Sequence, residues 1–272
     1  MTNNLDKSGL KSIVPTYNLL FIDIWGVVHD GISLFDSSID VLIKLEDLNK
    51  EYVLLTNAPR PNSIVRKFLE NMGLDKKISK KVYTSGEAAL QYLTSDYKEK
   101  KFFHIGPPRD FDLFKLFEKN KMNNPHEAEY FLCTGLFDSH NKNLNFYEEI
   151  LKNQIKKKMI CTNPDLIVDR GEEREYCAGS VAQIFKKMGG EVEYFGKPYS
   201  NVYNLSTDIK NKEILCIGDN LNTDIKGANL QNFSSLFISS GIHRNEFNEK
   251  EPNVLFNKYN VRVNYFQTNL KW

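Results

Sequence analysis

The segment FIDIWGVVHDG, residues 21–31, carries an apolar run that ends in an aspartate, Asp23. A carboxylate at the end of a strand can attack phosphorus and form an aspartyl-phosphate, which divides hydrolysis into two easier steps. Because the aspartate and a phosphoryl group are both anionic, such an attack requires positive charge close by. The sequence therefore offers Asp23 as a candidate nucleophile, with Trp25 two residues later.

A second acidic segment lies far downstream, at GDNLNTD, residues 218–224. Its carboxylates, Asp219 and Asp224, are oxygen ligands of the kind that Mg²⁺ prefers. A divalent cation held there would supply the positive charge that the attack requires. The alternative interpretation is that these two acids cap a helix that begins near Thr223.

Three residues are candidates for holding a phosphoryl group. Lys197 has the charge to neutralise phosphoryl oxygens, and its alternative is an ordinary surface lysine. Thr56 offers a hydroxyl and Asn57 offers N–H donors at the end of a predicted strand. Stabilising the spread charge of the transferring group is the main catalytic task in phosphoryl transfer.

Two further residues are candidate substrate contacts. Arg60 either reaches an anionic group of the substrate or stands at a helix start beside Pro61. Asn163 either contacts substrate or belongs to a plain turn, because Asn-Pro-Asp at 163–165 is also a turn sequence.

Composition limits the classes of protein that fit. The 272 residues are 41% hydrophobic and 26% charged with a net charge of +1, so no overall field would recruit nucleic acid. The polar N-terminus and the absence of a long apolar run predict a cytoplasmic protein without a membrane span. The four cysteines show no CxxC spacing, which favours free, buried thiols over disulfides or a zinc site.

Short apolar strands alternate with amphipathic helices, which predicts an α/β fold with a largely parallel sheet. Helix patterns near 65–72 and 181–188 end in glycines at 73 and at 189–190. The predicted strands are 19–23, 52–56, 102–106, 130–135, 158–163, 192–196, 214–219 and 235–240.

The candidate residues lie where predicted strands end, and ligands bind outside the carboxyl ends of the strands in an open parallel sheet. The gap of about 140 residues between Asn57 and Lys197 is too long for a loop and long enough for a domain. We therefore expect a core formed by residues 1–82 and 189–272, with an inserted second domain at 83–188.

The order and spacing of Asp23, Thr56, Lys197 and the 218–224 segment resemble the four motifs of the haloacid dehalogenase-like (HAD) phosphohydrolases. The resemblance covers residues 17–245 and is closest to class IIA, the NagD-like and p-nitrophenylphosphatase-like group. It implies a Rossmann-like parallel-sheet core, an inserted α/β cap and dimerisation through the cap. The landmarks are TNAPR (56–60), TSGEAA (84–89), NPD (163–165), GKP (196–198) and GDNLNTDIKGA (218–228).

The resemblance also implies individual roles. Asp23 would be the nucleophile and a Mg²⁺ ligand, and the backbone carbonyl of Trp25 would bind the same ion. Asp219 would bind the metal directly, and Asp224 directly or through water. Thr56 and Lys197 would hold the phosphoryl group.

The sequence departs from this pattern at Trp25, because most phosphatases of the superfamily have a second aspartate there that acts as general acid and base. General acid–base catalysis contributes about 100- to 10,000-fold. His29 is a surrogate acid/base candidate, and its alternative is a structural histidine in the turn. Trp25 itself could wall the pocket and select an apolar or planar substrate.

Two functions follow. The first is a Mg²⁺-dependent phosphohydrolase that acts through an aspartyl-phosphate on a small phosphorylated metabolite, such as a sugar phosphate, a nucleotide or an acyl phosphate. The second is a catalytically weakened phospho-ligand-binding or regulatory protein on the same scaffold. A response-regulator receiver fits less well, because its acidic pair lies near the first strand.

Overall fold

The computed structural model describes residues 2–170 and 173–272 and divides them into two compact units. We call residues 1–56, 66–83 and 197–272 the core unit, and residues 57–65 and 84–196 the second unit. The second unit thus includes segments 57–65 and 189–196, which the sequence prediction assigned to the core.

The described residues contain strands and helices in the following chain order. The strands are β1 (Asn3–Asn4), β2 (Leu19–Ile22), β3 (Glu51–Thr56), β4 (Val82–Thr84), β5 (Phe102–Ile105), β6 (Lys121–Met122), β7 (Tyr130–Cys133), β8 (Lys158–Cys161), β9 (Ile167–Arg170), β10 (Glu173–Tyr176), β11 (Glu191–Tyr194), β12 (Ile214–Gly218), β13 (Ser234–Ile238) and β14 (Tyr265–Gln267). The α-helices are α1 (Asp36–Asp47), α2 (Asn62–Asn71), α3 (Lys76–Ser79), α4 (Ser85–Tyr92), α5 (Leu144–Leu151), α6 (Ala178–Lys187), α7 (Ser200–Ser206), α8 (Lys226–Leu230), α9 (Arg244–Glu249) and α10 (Pro252–Lys258).

The core unit is built on a sheet with strand order β1-β14-β13-β12-β2-β3-β4. Strand β2 lies between β12 and β3 and pairs with both in parallel, as β12 does with β13. The four residues of β2 and the five of β12 are all buried, as expected for central parallel strands covered on both faces. The carboxyl ends of β2, β3 and β12 therefore lie side by side.

The second unit has its own parallel sheet, with strand order β11-β8-β7-β5-β6, and an antiparallel hairpin of β9 and β10. Its apolar core includes Phe131, Tyr147, Met159 and Phe185, each fully buried. Helix α6 packs against this core through its buried face.

The sequence prediction of an α/β fold with a Rossmann-like parallel-sheet core is confirmed. All eight predicted strands are present, each with one or both ends shifted by one or two residues. Helices α2 and α6 also form, and Gly73 and Gly189 follow them with positive φ, the left-handed conformation that ends a helix at low cost.

The short strands β1, β4, β6 and β14 and the β9–β10 hairpin were not predicted. The four cysteines are free and buried, as the sequence predicted. Within residues 2–170 and 173–272, no helix has the length and apolar character needed to cross a membrane.

Candidate active site

Asp23 and Lys197 meet in the core unit at the end of strand β2. Asp23 directly follows β2, and its backbone N–H donates to the Ile217 carbonyl at 2.8 Å, which continues the pairing with β12. The Lys197 ammonium forms an ion pair with the Asp23 carboxylate and donates to the Leu55 carbonyl at 2.9 Å. Lys197 is only 4% exposed, so it is not an ordinary surface lysine.

The two downstream acids come from the end of strand β12. Asp219 directly follows β12, and Asp224 lies in the helical turn Leu221–Ile225. The Asp224 carboxylate accepts from the Asn220 N–H at 3.0 Å and pairs with the Lys197 ammonium at 2.7 Å. The side chain that caps this turn is that of Asn220, so the capping alternative for Asp219 and Asp224 does not describe the observed contacts.

Backbone groups hold the Asp219 carboxylate in place. Its Oδ2 atom accepts from the Ile242 N–H at 2.8 Å. A Cβ atom added at Gly26 or at Gly241 would overlap that carboxylate, and Gly26 also has φ = 81°. Both positions therefore require glycine, and the sequence interpretation missed both, together with Ile242.

Asp23, Asp219 and Asp224, with Lys197, form what we call the carboxylate cluster. Each aspartate offers a ligand atom within 4.8 Å of the others, and all three are buried. Among the described residues, this is the group of three or more His, Cys, Asp or Glu side chains with the spacing to hold a metal ion. The sequence prediction named all four residues.

The charges of the carboxylate cluster do not balance. When all three carboxylates are ionised, as in a metal-bound site, one ammonium leaves two negative charges in a buried site. Burial raises the pKa of Asp219 well above its usual range, and the neighbouring carboxylates of Asp23 and Asp224 raise it further. The donor set, three hard carboxylate oxygens with two residual negative charges, therefore fits a divalent cation such as Mg²⁺.

The Lys197 ammonium is strongly held in its charged form. Burial by itself lowers the pKa of Lys197, but the carboxylates of Asp224 and Asp23 outweigh burial and raise the pKa overall. Lys197 therefore presents a positive charge beside the Asp23 oxygens at physiological pH.

The segment that follows Asp23 places Trp25 against His29. The two residues form an isolated bridge, and their rings meet edge to face at 4.9 Å. The His29 Nδ1 atom accepts from the Gly31 N–H at 2.7 Å, and the ring also meets the edge of Phe68. Burial lowers the pKa of His29 to about 4. These contacts favour the structural alternative for His29, and its role as an acid/base stays a prediction.

The remaining predicted site residues divide between the units. Thr56, the last residue of β3, is buried in the core unit. Asn57, Arg60 and Asn163 lie in the second unit. The amide of Asn57 donates to the Asp165 carboxylate at 3.2 Å, so Asn57 has a side-chain partner there.

Arg60 and Asn163 each have a defined partner in the second unit. The Arg60 Nε–H donates to the Asp110 carboxylate at 3.0 Å. The Asn163 side-chain oxygen accepts from the Asp165 N–H at 3.0 Å, which is the turn geometry that the sequence alternative described. The substrate-binding roles of all three residues stay predictions.

Comparison with known proteins gives consistent results. A family described as haloacid dehalogenase-like hydrolase matches residues 20–118, and one described as HAD-hydrolase-like matches residues 194–259. A dihydroxyacetone phosphatase of Corynebacterium glutamicum is 25% identical over 243 residues, 84% of this chain and 83% of that protein.

Two solved structures illustrate the likeness in fold. A haloacid dehalogenase-like hydrolase of Brucella suis superposes with a TM-score of 0.83 at 28% identity, covering 96% of this chain and 98% of that one. A p-nitrophenyl phosphatase of Archaeoglobus fulgidus has a TM-score of 0.72 at 18% identity, covering 93% and 97%. The chain belongs to the haloacid dehalogenase-like hydrolases, and its likeness in fold to NagD and to a p-nitrophenyl phosphatase agrees with the class IIA resemblance.

Proposed function

We propose that this enzyme hydrolyses a small phosphorylated metabolite through an aspartyl-phosphate on Asp23, with Mg²⁺ as cofactor. The observation that carries the proposal is the carboxylate cluster, in which a lysine and three aspartates are buried together at the ends of β2 and β12. Two uncompensated negative charges in a buried site destabilise a fold. A site that binds a cation and a phosphoryl group accounts for them better than a role in stability does.

Asp23, Asp219 and Asp224 would hold the metal, together with the backbone carbonyl of Trp25. When bound, the metal offsets negative charge on the carboxylates and the phosphoryl oxygens, so that one anion can approach the other. The Gly26 and Gly241 backbones keep the Asp219 carboxylate at a fixed place for this task.

The chain's own residues account for most of the chemical step. An Asp23 oxygen attacks phosphorus, a new O–P bond forms, and the bond to the leaving oxygen breaks with its electron pair. Lys197, fixed by Asp224 and the Leu55 carbonyl, offsets charge on the phosphoryl oxygens. Thr56 and Asn57 would donate hydrogen bonds to the remaining oxygens. Water then attacks phosphorus, which releases phosphate and restores the Asp23 carboxylate.

The leaving oxygen needs a proton, and Trp25 has none to give. The loss of a general acid costs about 3–5 kcal/mol of barrier, from its usual 100- to 10,000-fold contribution. The proposed substrates are therefore those with a good leaving group, such as acyl phosphates, or those that bring their own proton donor.

The second unit is proposed as the cap that selects the substrate, with Asn57, Arg60 and Asn163 among its contacts. A cap of a whole domain suits small molecules better than phosphoproteins. Dimerisation through the cap stays a prediction.

An activity screen tests the proposal. Purified protein with Mg²⁺ is incubated with p-nitrophenyl phosphate, sugar phosphates, nucleotides and acyl phosphates, and released phosphate is measured. We expect turnover that EDTA removes and Mg²⁺ restores, and that Asp23→Asn lowers by at least about 10,000-fold, as loss of a nucleophile does.

Tight binding of a phosphorylated ligand without phosphate release would favour the alternative of a catalytically weakened binding or regulatory protein. Turnover that persists in Asp23→Asn or in EDTA would contradict the proposed mechanism itself.

A further inference from the structure

The second unit contains a buried polar network that ends in Arg60. The Arg60 Nε–H donates to Asp110 at 3.0 Å, and Asp110 is only 3% exposed. The Thr134 side chain lies near the Asp110 carboxylate and helps to lower its pKa. The Thr134 hydroxyl oxygen lies 2.8 Å from Nε2 of His104. We call these four residues the Arg60 network.

Thr134 and His104 are the two uncharged members of the network. The Thr134 hydroxyl and the His104 Nε2 atom share one hydrogen bond, and the tautomer of His104 sets which of them donates. Burial lowers the pKa of His104 to about 3, which keeps the imidazole neutral in the physiological range. The buried Asp110 carboxylate thus has Arg60 as its charged partner and the uncharged Thr134 beside it.

The backbone of Arg60 is fixed as well. The Thr84 hydroxyl donates to the Arg60 carbonyl at 2.5 Å. A Cβ atom added at Gly86 would overlap the Arg60 backbone, so helix α4 begins in direct contact with it. Both the main chain and the Nε atom of Arg60 are therefore held in one position.

The free end of this arrangement is the guanidinium. Arg60 keeps 31% of its side chain exposed, and within the described residues its two terminal nitrogens have no hydrogen-bond partner. A guanidinium has five N–H donors, of which Asp110 takes one. The terminal pair forms the fork that binds a carboxylate or phosphate through two parallel hydrogen bonds.

Stability does not explain why the network is there. A buried ion pair is often no more stabilising than apolar residues of the same volume, because both charges lose their hydration. The carboxylate of Asp110 carries that cost, since burial raises its pKa despite the neighbouring guanidinium. What the arrangement does provide is an arginine whose terminal nitrogens point in one fixed direction.

We propose that Arg60, with Asp110 as its positioning residue, binds a second anionic group of the substrate. The preferred substrates are then phosphorylated metabolites that also carry a carboxylate or a second phosphoryl group. This inference rests on the proposed phosphatase function, and it adds a residue, Asp110, that the sequence interpretation did not name.

Two matched pairs of ligands test the proposal. The first pair is 3-phosphoglycerate and glycerol 3-phosphate, which differ in a carboxylate against a neutral CH₂OH. The second pair is fructose 1,6-bisphosphate and fructose 6-phosphate, which differ in one phosphoryl group. Inhibition of p-nitrophenyl phosphate hydrolysis gives the affinity of each ligand, and calorimetry gives it where turnover is absent.

We expect the wild type to bind the more anionic member of at least one pair about 10- to 100-fold more tightly, as charge-assisted hydrogen bonds permit. Arg60→Gln should reduce that ratio to about one, and Arg60→Lys should retain part of it. Arg109→Gln is the matched control, because Arg109 is an exposed arginine of the same unit that pairs with Asp138, and it should leave the ratio unchanged.

The positioning role of Asp110 has its own readout. Asp110→Asn should reduce the anion preference by about 3-fold or more, and it should have no further effect when Arg60→Gln is already present. Additive effects of the two substitutions would show that Asp110 acts only on the fold and would overturn its positioning role.

A wild type without preference in either pair would overturn the inference, as would equal effects of Arg60→Gln and Arg109→Gln. These outcomes are distinct from failure of the proposed function, which appears as absent turnover or as turnover that survives Asp23→Asn. Calorimetry still measures the affinities of the four ligands in that case.

Discussion

Two buried polar clusters, one in each unit, differ in their balance of charge. The carboxylate cluster of the core unit holds three aspartates and one lysine, and is therefore short of two positive charges. The Arg60 network pairs one arginine with one aspartate, and its other two members, Thr134 and His104, are uncharged. We infer that a buried cluster with unbalanced negative charge marks the place of a cation and a reacting anion. A buried cluster with balanced charge instead holds a side chain in position.

The two clusters also differ in how burial acts on them. Burial raises the pKa of Asp219 in the carboxylate cluster, and the other carboxylates raise it further, so the site is under electrostatic repulsion. In the Arg60 network, burial lowers the pKa of His104 and so keeps the imidazole neutral. The first cluster therefore lacks balancing positive charge, whereas the second contains one positive and one negative group.

Among the substitutions that compare the two clusters, the largest effect is expected from Lys197→Met, which removes the cation of the carboxylate cluster. Lys197→Met should lower turnover by about 1,000-fold, the scale of losing a preorganised electrostatic group. Because it removes the positive charge that offsets the buried carboxylates, it should also destabilise the protein by about 3–5 kcal/mol in urea denaturation without Mg²⁺.

Lys226→Met is the matched control for this substitution, because Lys226 is an exposed lysine two residues after Asp224. If Lys197→Met and Lys226→Met have the same free energy of unfolding, the carboxylate cluster does not depend on Lys197 for its balance of charge. The claimed difference between the carboxylate cluster and the Arg60 network would then be wrong.

A smaller effect is expected where the sequence departs from its family. Trp25→Asp adds a carboxylic acid after Asp23 and should raise kcat on ordinary phosphate monoesters by about 100-fold, if a missing general acid limits the rate. Trp25→Phe keeps an aromatic ring and should give no gain. An intact Trp25→Asp protein with unchanged kcat would show that the acid is not what limits the enzyme.

The smallest effect concerns the balanced network. The folded pKa of His104 is about 3, below the ordinary value of 6.5, so the unfolded chain takes up a proton first as the pH falls. The free energy of unfolding therefore falls as the pH drops from 6.5 to 3. At pH 5 it is about 2 kcal/mol below its value above pH 6.5.

His104→Gln keeps a donor for Thr134 and does not titrate, so it should flatten this loss when chemical denaturation is compared at pH 7.5 and pH 5. An unchanged difference between the two pH values would refute the assignment of the acid sensitivity to His104.

Much of the fold and of the carboxylate cluster could be predicted because the signals are local. The strands that carry Asp23, Thr56 and Asp219 are continuous apolar runs, and each polar residue follows its run directly. Parallel strands bring such ends to one edge of the sheet, so residues 196 positions apart in sequence could be placed together before the structure was known.

What could not be predicted depends on tertiary contacts without a local signal. Ile242 holds Asp219 through a backbone N–H, which any residue except proline has. Asp110 lies 50 residues from Arg60, and no spacing rule joins them. The short edge strand β1 forms only because β14 is there to pair with it, and both strands have too few residues to show a period.

Titration calorimetry with Mg²⁺ tests the central claim most directly, because it asks whether the carboxylate cluster holds one divalent cation. The account predicts one Mg²⁺ bound per wild-type chain, with a rise in unfolding temperature that depends on the Mg²⁺ concentration. Asp219→Asn should lose this binding, and Asp138→Asn, which alters an exposed acid of the second unit, should retain it. Absence of Mg²⁺ binding to the wild type, or equal binding to Asp219→Asn, would contradict the account.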